Sequence, residues 1–559
     1  MGINGLWSAI SSAAEECPLG EFLTAEALRN HDWSRGYVLG IDASIWFYNA
    51  NQQYLHANSW RERNPEISMV FRRLMRLHAL PVTVLLILDG GGRPSCKRGK
   101  RVNGHSHWMT EDIIQIALAL GFYIYIAPGE AEAELAVLCQ RHIIHAILTD
   151  DSDTLVFGGV TIIRNPDWKS ANDTVKIFTA NRVRESIGVD HGGLVLFALL
   201  NGGDYNEVGI LGFGPIVAIA LARCGFGNSL LHAAQEFDRD HLESFLVHWR
   251  CDIRQELRLN SQGHLPHCYP ALANTITDSF PDINALNLYA NPLTSWSSSP
   301  PLRDWPVLRL GCPDVHRLAT LCERYFRWGN IKALPAKFQE LVWPGLCLRK
   351  MWQVCEGEKY NPLDDSSPKP LTIHSATTSH PLVGALPSFN VEFSISRSLP
   401  LAISGICDQE PCLNPLALTA PSESQTKEAP PQVTICVDLP AVLIERVAPD
   451  LIARFMSGST TLHHMAPSSS SVPRAKIGIS PSTSISVSHH RDIPASPSLS
   501  TTTHVASSPP LLSPSADIVT NSQQPFKRHI GSIPSFPPKR RRRWSDSEMA
   551  NKEGELTNL

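Results

Sequence analysis

The chain has 559 residues, 43% of them hydrophobic, with a formal net charge of −4 and a pI near 6.6. That length implies roughly three to four folded units, and the near-neutral balance excludes a uniformly basic nucleic-acid binder, so any hold on a polyanion must come from local patches. No apolar run reaches transmembrane length, the N-terminus lacks the regions of a signal peptide, and Leu6 stands where a myristoylation motif wants Ser or Thr; a soluble intracellular protein with no membrane partner is expected.

From Tyr37 to about Ala180, short apolar runs alternate with helical stretches. The pattern predicts strands at Tyr37–Ala43, Val82–Asp89, Phe122–Ala127, Ala146–Asp150, Val160–Arg164 and Val175–Thr179. Helices are predicted at Ile67–Leu80, His107–Leu120 and Glu130–His142. Runs that are apolar without alternation fit strands buried on both faces of a parallel α/β sheet. The stretch Gly192–Leu259 reads as helices joined by glycine-rich turns. A third segment, Trp305–Ser457, carries Trp, Phe and Leu in core quantities, with a strand at Phe389–Ile395 and an amphipathic helix at Leu439–Phe455. Beyond Gly458 the chain turns to Ser, Pro and Thr, which cannot bury enough apolar surface to fold, so a disordered tail is expected. The 13 cysteines include no C-x-x-C, and Cys407 and Cys412 are the one close pair; reduced thiols are expected rather than disulfides or a zinc site.

Acids recur at the ends of the predicted strands: Asp42, Asp89, then Glu130, Glu132 and Glu134 after Pro128-Gly129, then Asp150, Asp151 and Asp153. Open α/β sheets place their sites at the carboxyl ends of strands. Helical spacing puts Glu130 and Glu134 on one face, with Glu132 joining only if the first turn is irregular, and extended geometry puts Asp151 and Asp153 on one side. Acids in a first helical turn also complement the helix dipole, and an acidic turn is often merely solvated. Neither explains acids closing two strongly apolar strands as well. Like charges a few ångströms apart repel by about 3 kcal/mol at an effective dielectric near 20. A cation relieves that, and an all-oxygen ligand set selects Mg²⁺ or Mn²⁺ over zinc.

Six motifs, Met1-Gly2-Ile3-Asn4-Gly5-Leu6-Trp7, Ile41-Asp42-Ala43-Ser44, Leu88-Asp89-Gly90, Gly129-Glu130-Ala131-Glu132-Ala133, Thr149-Asp150-Asp151-Ser152-Asp153 and Gly203-Asp204-Tyr205, resemble the xeroderma pigmentosum group G / flap endonuclease superfamily over about residues 1–260. The resemblance implies a PIN-like, mostly parallel α/β nuclease core with Asp42, Asp89, Glu130, Glu132, Asp151, Asp153 and Asp204 as metal ligands, all seven present. It implies hydrolysis assisted by two Mg²⁺ ions, with Mn²⁺ able to substitute, no covalent intermediate, and 5′-phosphate and 3′-hydroxyl products. Catalytic roles fall to Lys97, Asp151 and Glu130.

Between Asp89 and Glu111 lie Arg93, Lys97, Arg98, Lys100 and Arg101, with no acid from Gly90 to Thr110. Such a run is either a solvated loop or a phosphate contact. Lys97 best matches the family's lysine near the scissile phosphate; Lys100 and Arg101 are alternatives for a second basic contact. Asp89 and Glu130 are 41 positions apart (130 − 89), which resembles a shortened helical arch. With Ser44-Ile45-Trp46 and Thr161-Ile162-Ile163-Arg164-Asn165, this favours the eukaryotic Holliday-junction resolvase branch. Tyr48 stands where the family stacks a base, or packs in the core. Gly209, Gly212 and Gly214 resemble the family's helix–hairpin–helix, where backbone N–H groups meet phosphate and K⁺ is an added candidate ion. Ile216 replaces the lysine usual there, which weakens that grip. Gly2 completes the expected DNA contacts.

The segment around Trp305-Pro306, His316–Trp328 and Phe389–Phe393 resembles the chromodomain-containing extension of eukaryotic resolvases, or is an α+β accessory module of another role. Lys539–Arg543 and Lys527-Arg528 read as a nuclear import signal, or a DNA clamp. Ser-Pro pairs at Ser367, Ser480, Ser496, Ser508 and Ser513 are candidate phosphorylation sites. The expected organisation is a nuclease core over 1–205, a helix–hairpin–helix region over 206–300, a small α+β module over 301–458 and a tail over 459–559. The expected function is a nuclear, structure-selective endonuclease of DNA repair and recombination. Its substrate would be branched double-stranded DNA, Holliday junctions and 5′ flaps, met as a dimer on a four-way junction, with no small-molecule substrate. The alternatives are a 5′-flap endonuclease or exonuclease of replication and repair, and a noncatalytic DNA-junction scaffold.

Overall fold

The computed structural model describes residues 2–29, 36–56, 64–102, 105–165, 173–297, 305–329, 334–355, 369–377, 386–406 and 433–463. Met1, Cys407, Cys412, the Ser-Pro pairs, and the basic groups at Lys527-Arg528 and Lys539–Arg543 lie outside the described residues. Met1–Thr460 packs as one compact unit.

The strands in chain order are β1 (Glu15–Pro18), β2 (Tyr37–Asp42), β3 (Val82–Leu88), β4 (Cys96–Lys97), β5 (Lys100–Arg101), β6 (Tyr123–Ile126), β7 (Ala146–Leu148), β8 (Thr161–Arg164) and β9 (Thr174–Thr179). Seven of them form one sheet in the order β1-β9-β8-β7-β2-β3-β6. Neighbours from β8 through β7, β2 and β3 to β6 pair in parallel, and β9 and β1 add antiparallel at one edge. Every residue of β2 and β3 is buried, the condition that lets Val82-Thr83-Val84-Leu85-Leu86-Ile87-Leu88 run without alternation. All six predicted strands are present. They stop short of Asp89 and Asp150, because those carboxylates leave the ladder to face the carboxyl edge.

β1 was not legible in sequence. It reads Glu-Glu-Cys-Pro and lies at the sheet margin, where no apolar face is required. The helices Thr110–Ala119 and Ala131–Gln140 lie within the predicted spans, and Pro65–His78 starts two residues before its own. Pro65 opens that helix, where its missing N–H has no intrahelical partner to lose.

One face of the sheet is covered by Pro65–His78 and Thr110–Ala119 together with the segment after Trp305; the other by Ala131–Gln140 and the helices between His191 and Ala290. The late segment holds a second sheet, β10 (Lys369–Thr377), β11 (Ser388–Ser394) and β12 (Thr434–Pro440), antiparallel in the order β10-β11-β12. The predicted helix Leu439–Phe455 is corrected. Leu439 and Pro440 end β12, helix Ala441–Val447 follows, and Pro449 starts a separate helix that runs to His463. Pro449 has no N–H to continue the preceding helix and crowds its last turn.

Arg349 ties this segment to the seven-stranded sheet. It is wholly buried on helix Trp343–Cys355 and donates to the carbonyls of His78 (3.0 Å), Gly311 (2.9 Å), Val82 (3.2 Å) and Leu77 (3.3 Å). The described cysteines are all free. Among the described residues no single helix is long and apolar enough to cross a membrane.

Candidate active site

The parallel strands deliver acids to one edge. Asp42 is the last residue of β2, and its Oδ1 accepts the N–H of Ser44 (2.9 Å) and Ile45 (3.4 Å), capping helix Ala43–His56. Asp89 follows β3; its Oδ2 accepts from Ser44 Oγ (2.9 Å) and Arg93 (3.0 Å), and its Oδ1 accepts the Ala131 N–H (3.0 Å) at the start of helix Ala131–Gln140.

That arrangement corrects the expected pairing of Glu130 with Glu134. Glu130 is the cap residue, with extended backbone (φ −87°, ψ 141°), so helical spacing does not begin until Ala131. Glu130 and Glu132 therefore stand together, both on Lys97 Nζ, whereas Glu134 turns away. Its carboxylate accepts the Ser295 N–H (2.9 Å) and Ser295 Oγ (2.6 Å). Asp151 and Asp153 share a side through a turn and not through extended backbone: Ser152 is helical, and Asp151 Oδ1 accepts the Asp153 N–H (3.0 Å). Asp150 faces Arg164 at 3.7 Å instead.

Electrostatic influence links all seven acids. Burial, then Asp89 and Asp151, push Asp42 up to about 8. Burial also raises Glu132, which feels Glu130, Asp89 and Asp42, and raises Asp153, which feels Asp151, Asp204 and Glu132. Asp151 is raised by burial, with Asp204 adding to it. Lys97 Nζ stands among Glu130, Glu132 (2.9 Å) and Asp204 (3.4 Å). Burial works against its charge, but Glu132, Glu130 and Asp204 together outweigh that and hold its pKa above the ordinary lysine value. Arg98 pairs with Asp204 (2.7 Å) and donates to the Gly2 carbonyl (2.5 Å).

The expected loop over Arg93–Arg101 thus folds as the β4–β5 hairpin, with three of its cations on carboxylates and Lys100 and Arg101 exposed. Gly2 (φ +84°) lies against Asp151 and Ser152: a Cβ there would fall 2.4 Å from Asp151 Oδ1. Tyr48 is half exposed, which decides against core packing. Gly209 and Gly212 both have positive φ, and Gly214 precedes helix Pro215–Arg223; they form a separate surface beyond Asp204, with Leu211 and Ile216 exposed on it.

The donor set suits a hard cation. Both Asp153 side-chain oxygens are buried without a hydrogen-bond donor, an arrangement unfavourable for a carboxylate unless a cation or proton joins it. Among the described residues no three acids, cysteines or histidines converge on one point in ligand geometry; Lys97 fills the space between Glu130, Glu132 and Asp204.

Sequence reasoning missed three supports. Tyr205 donates to Glu130 Oε2, Ser295 holds Glu134, and Tyr289 sits behind Gly203 and Asp204. Tyr205 adjoins a motif acid and could have been found; Ser295 and Tyr289 lie in a stretch with no motif.

A carboxylate-ringed edge on a parallel sheet, with a basic hairpin over it, is the arrangement of a class that the comparisons also point to: the XPG I-region family model matches residues 121–204, and the chain is similar to nucleases of the XPG / flap endonuclease superfamily. Within that superfamily the similarity is to the GEN1 branch. The chain is 26% identical over 257 residues to the human (Homo sapiens) flap endonuclease GEN homolog 1, covering 43% of this chain and 26% of that protein. A solved structure of the Holliday junction-resolving enzyme GEN1 with product DNA and Mg²⁺ matches with TM-score 0.60 and 25% identity, covering 82% of this chain and all of that one. A GEN-1 structure binding potassium matches with TM-score 0.59 and 25% identity over the same shares. The chain spans about a quarter of the length of the curated relatives it matches first.

Proposed function

We propose that this chain is a Mg²⁺-dependent endonuclease that cuts branched DNA, four-way junctions foremost. The observation that carries the reading is the strand-edge cluster of seven acids answered by Lys97.

Asp42, Asp89, Glu130, Glu132, Asp151, Asp153 and Asp204 would hold the ions; bound there, a divalent pair would lower the pKa of water at the site and offset charge on the scissile phosphate. Ser44 and the Ala131 N–H fix Asp89, Tyr205 fixes Glu130, and the Asp153 N–H fixes Asp151, so the ligands are oriented before a substrate arrives. Lys97 would exchange its carboxylates for a phosphate oxygen as the cations enter, placing an ammonium against the charge that grows during cleavage. Arg93, Arg98, Lys100 and Arg101 would follow the strand backbone, Gly2 would lie beside the reacting phosphate, and Tyr48 would stack on a base.

The short hairpin supports a junction over a threaded flap, because a two-residue-stranded β4–β5 leaves the cluster open to duplex arms. Gly209, Gly212 and Gly214 would hold the backbone of one arm, with K⁺ as a bridging ion. Pairing of two copies on a four-way junction, nuclear import through Lys539–Arg543, and separate roles for 206–300 and 301–458 belong to the same reading.

A cleavage panel with Mg²⁺ tests it, comparing a four-way junction, a 5′ flap, a splayed arm and linear duplex. Paired symmetric nicks in the junction, lost in Asp151→Ala while junction binding in Ca²⁺ persists, are expected. Cleavage that survives Asp151→Ala overturns the site, and a flap cut far faster than a junction moves the chain to the flap endonuclease alternative.

A further inference from the structure

The described residues contain a buried hydroxyl that the reading above leaves unused. Tyr289 lies on helix Ile283–Ala290, far in sequence from every acid of the cluster, and is 2% exposed. Its ring packs on Tyr205 at 4.6 Å between centroids, tilted by 54°, and on Phe157 at 5.8 Å. Its hydroxyl lies by the Asp204 backbone N–H and finds no acceptor for its own proton.

Where that hydroxyl points is set by Gly203. A Cβ at Gly203 would stand 2.5 Å from Tyr289 Oη, so the oxygen reaches the backbone immediately before Asp204 through a space only glycine leaves open. Phe157, on which the Tyr289 ring packs, gives its N–H to the Asp153 carbonyl (2.9 Å), so Tyr289 stands against the turn that carries Asp153, and Asp153 and Asp204 are the acids that weigh on it most. Asp153 is the acid whose two side-chain oxygens are both buried without a donor. A hydroxyl with a proton to give and a carboxylate with no donor are thus both buried in the same corner of the site. Leaving a buried polar group without a partner costs about 1–3 kcal/mol, so a hydrogen bond that joins them is favoured once the cluster settles around its cation.

We propose that Tyr289 is a positioning residue for the active site, its hydroxyl donating to Asp153 and fixing that carboxylate against the bound cation. The assignment rests on the metal-dependent reading above. It gives the helical segment after Asp204 a role inside the cluster as well as beside the DNA: Tyr289 and Tyr205, packed ring to ring, hold Asp153 and Glu130 from behind. Partners of this kind set ligand orientation, and their loss typically lowers metal affinity or activity about 10- to 100-fold.

The test uses the full chain and Tyr289→Phe, which keeps the ring and removes only the hydroxyl. Mn²⁺ binding is followed by electron paramagnetic resonance without DNA, beside Asp151→Ala as a control for loss of the site. Single-turnover cleavage of a four-way junction is measured in parallel. The expected result is Mn²⁺ affinity about 10-fold weaker and a cleavage rate about 10-fold lower, with junction affinity in Ca²⁺ and the melting temperature unchanged. A second arm combines Tyr289→Phe with Asp153→Asn: the effect on Mn²⁺ affinity should vanish in that background. Mn²⁺ affinity and rate within twofold of wild type, while Asp151→Ala loses both, overturn the assignment, as does an undiminished Tyr289→Phe effect on Asp153→Asn. If the wild-type chain binds no Mn²⁺ and cuts no junction, the functional reading itself fails, and the role of Tyr289 with it.

Discussion

Lys97 shows how one side chain holds opposing demands. Its ammonium is nearly enclosed, a position that would normally expel a proton, yet three carboxylates keep it charged. It acts as an internal counter-ion for acids that would otherwise repel, and on the proposed function it is the group that would meet the scissile phosphate. Lys97→Ala should therefore slow junction cleavage about 100-fold, as measured in single turnovers, while junction affinity falls only a few-fold. Equal losses in both would make it a plain binding residue. Gly203 is the opposite case, important for what it lacks: Ile3 Cδ1 and Tyr289 Oη would lie 2.4 Å and 2.5 Å from any Cβ there.

Among the elements, helix Ala131–Gln140 is the most constrained. Asp89 caps its start, Glu130 and Glu132 face the cluster, and Glu134 is caught by Ser295 on the segment after helix Ile283–Ala290. Ser295 Oγ is also joined to Tyr125 Oη at 2.7 Å. The acid-bearing helix is thus latched from the side away from the site. Ser295→Ala leaves a wholly buried Glu134 oxygen without its hydroxyl donor and should destabilise the chain by about 1–3 kcal/mol, read from urea unfolding, with little change in Mn²⁺ affinity. A loss of Mn²⁺ binding larger than the loss of stability would mean that the latch also sets the site. The β4–β5 hairpin is held differently, by charge and by the Arg98 N–H on the Asp204 carbonyl (2.8 Å); on the proposed function its ion pairs are the contacts that would be exchanged for cations and phosphate.

For the whole molecule, two consequences follow. Arg349 donates to four carbonyls around the sheet's far end with no acid to balance its charge. The segment after Trp305 is therefore built into the nuclease core. Arg349→Leu strands buried carbonyls and should lower stability by about 3 kcal/mol or more; an unchanged unfolding midpoint would show the segment to be separable. The second consequence concerns pH. Asp42 keeps its proton to about 8 in the folded chain, whereas an unfolded Asp loses it near 4. The native state binds more protons, so metal-free stability should fall as pH rises from 5 to 8. Mg²⁺ competes with that proton, so its stabilising increment should grow over the same range. Melting curves with and without Mg²⁺ check both signs; a flat metal-free profile would remove Asp42 from the cluster.

What the sequence determined by itself was the set of candidate acids and the sheet that carries them. The apolar runs ending in Asp42 and Asp89, and the acids after Gly129 and Thr149, are local patterns whose meaning does not depend on distant contacts. Only tertiary structure decided which acids face inward. Glu134 looked equivalent to Glu132 until the cap at Glu130 shifted the helical register and Ser295 drew it away. The hairpin's ion pairs with Asp204, Tyr289 behind Asp204 and Arg349 under the sheet join residues more than a hundred positions apart or in stretches with no pattern. Such partners are chosen by packing and by the need to satisfy buried polar groups, and short-range periodicity carries no record of either.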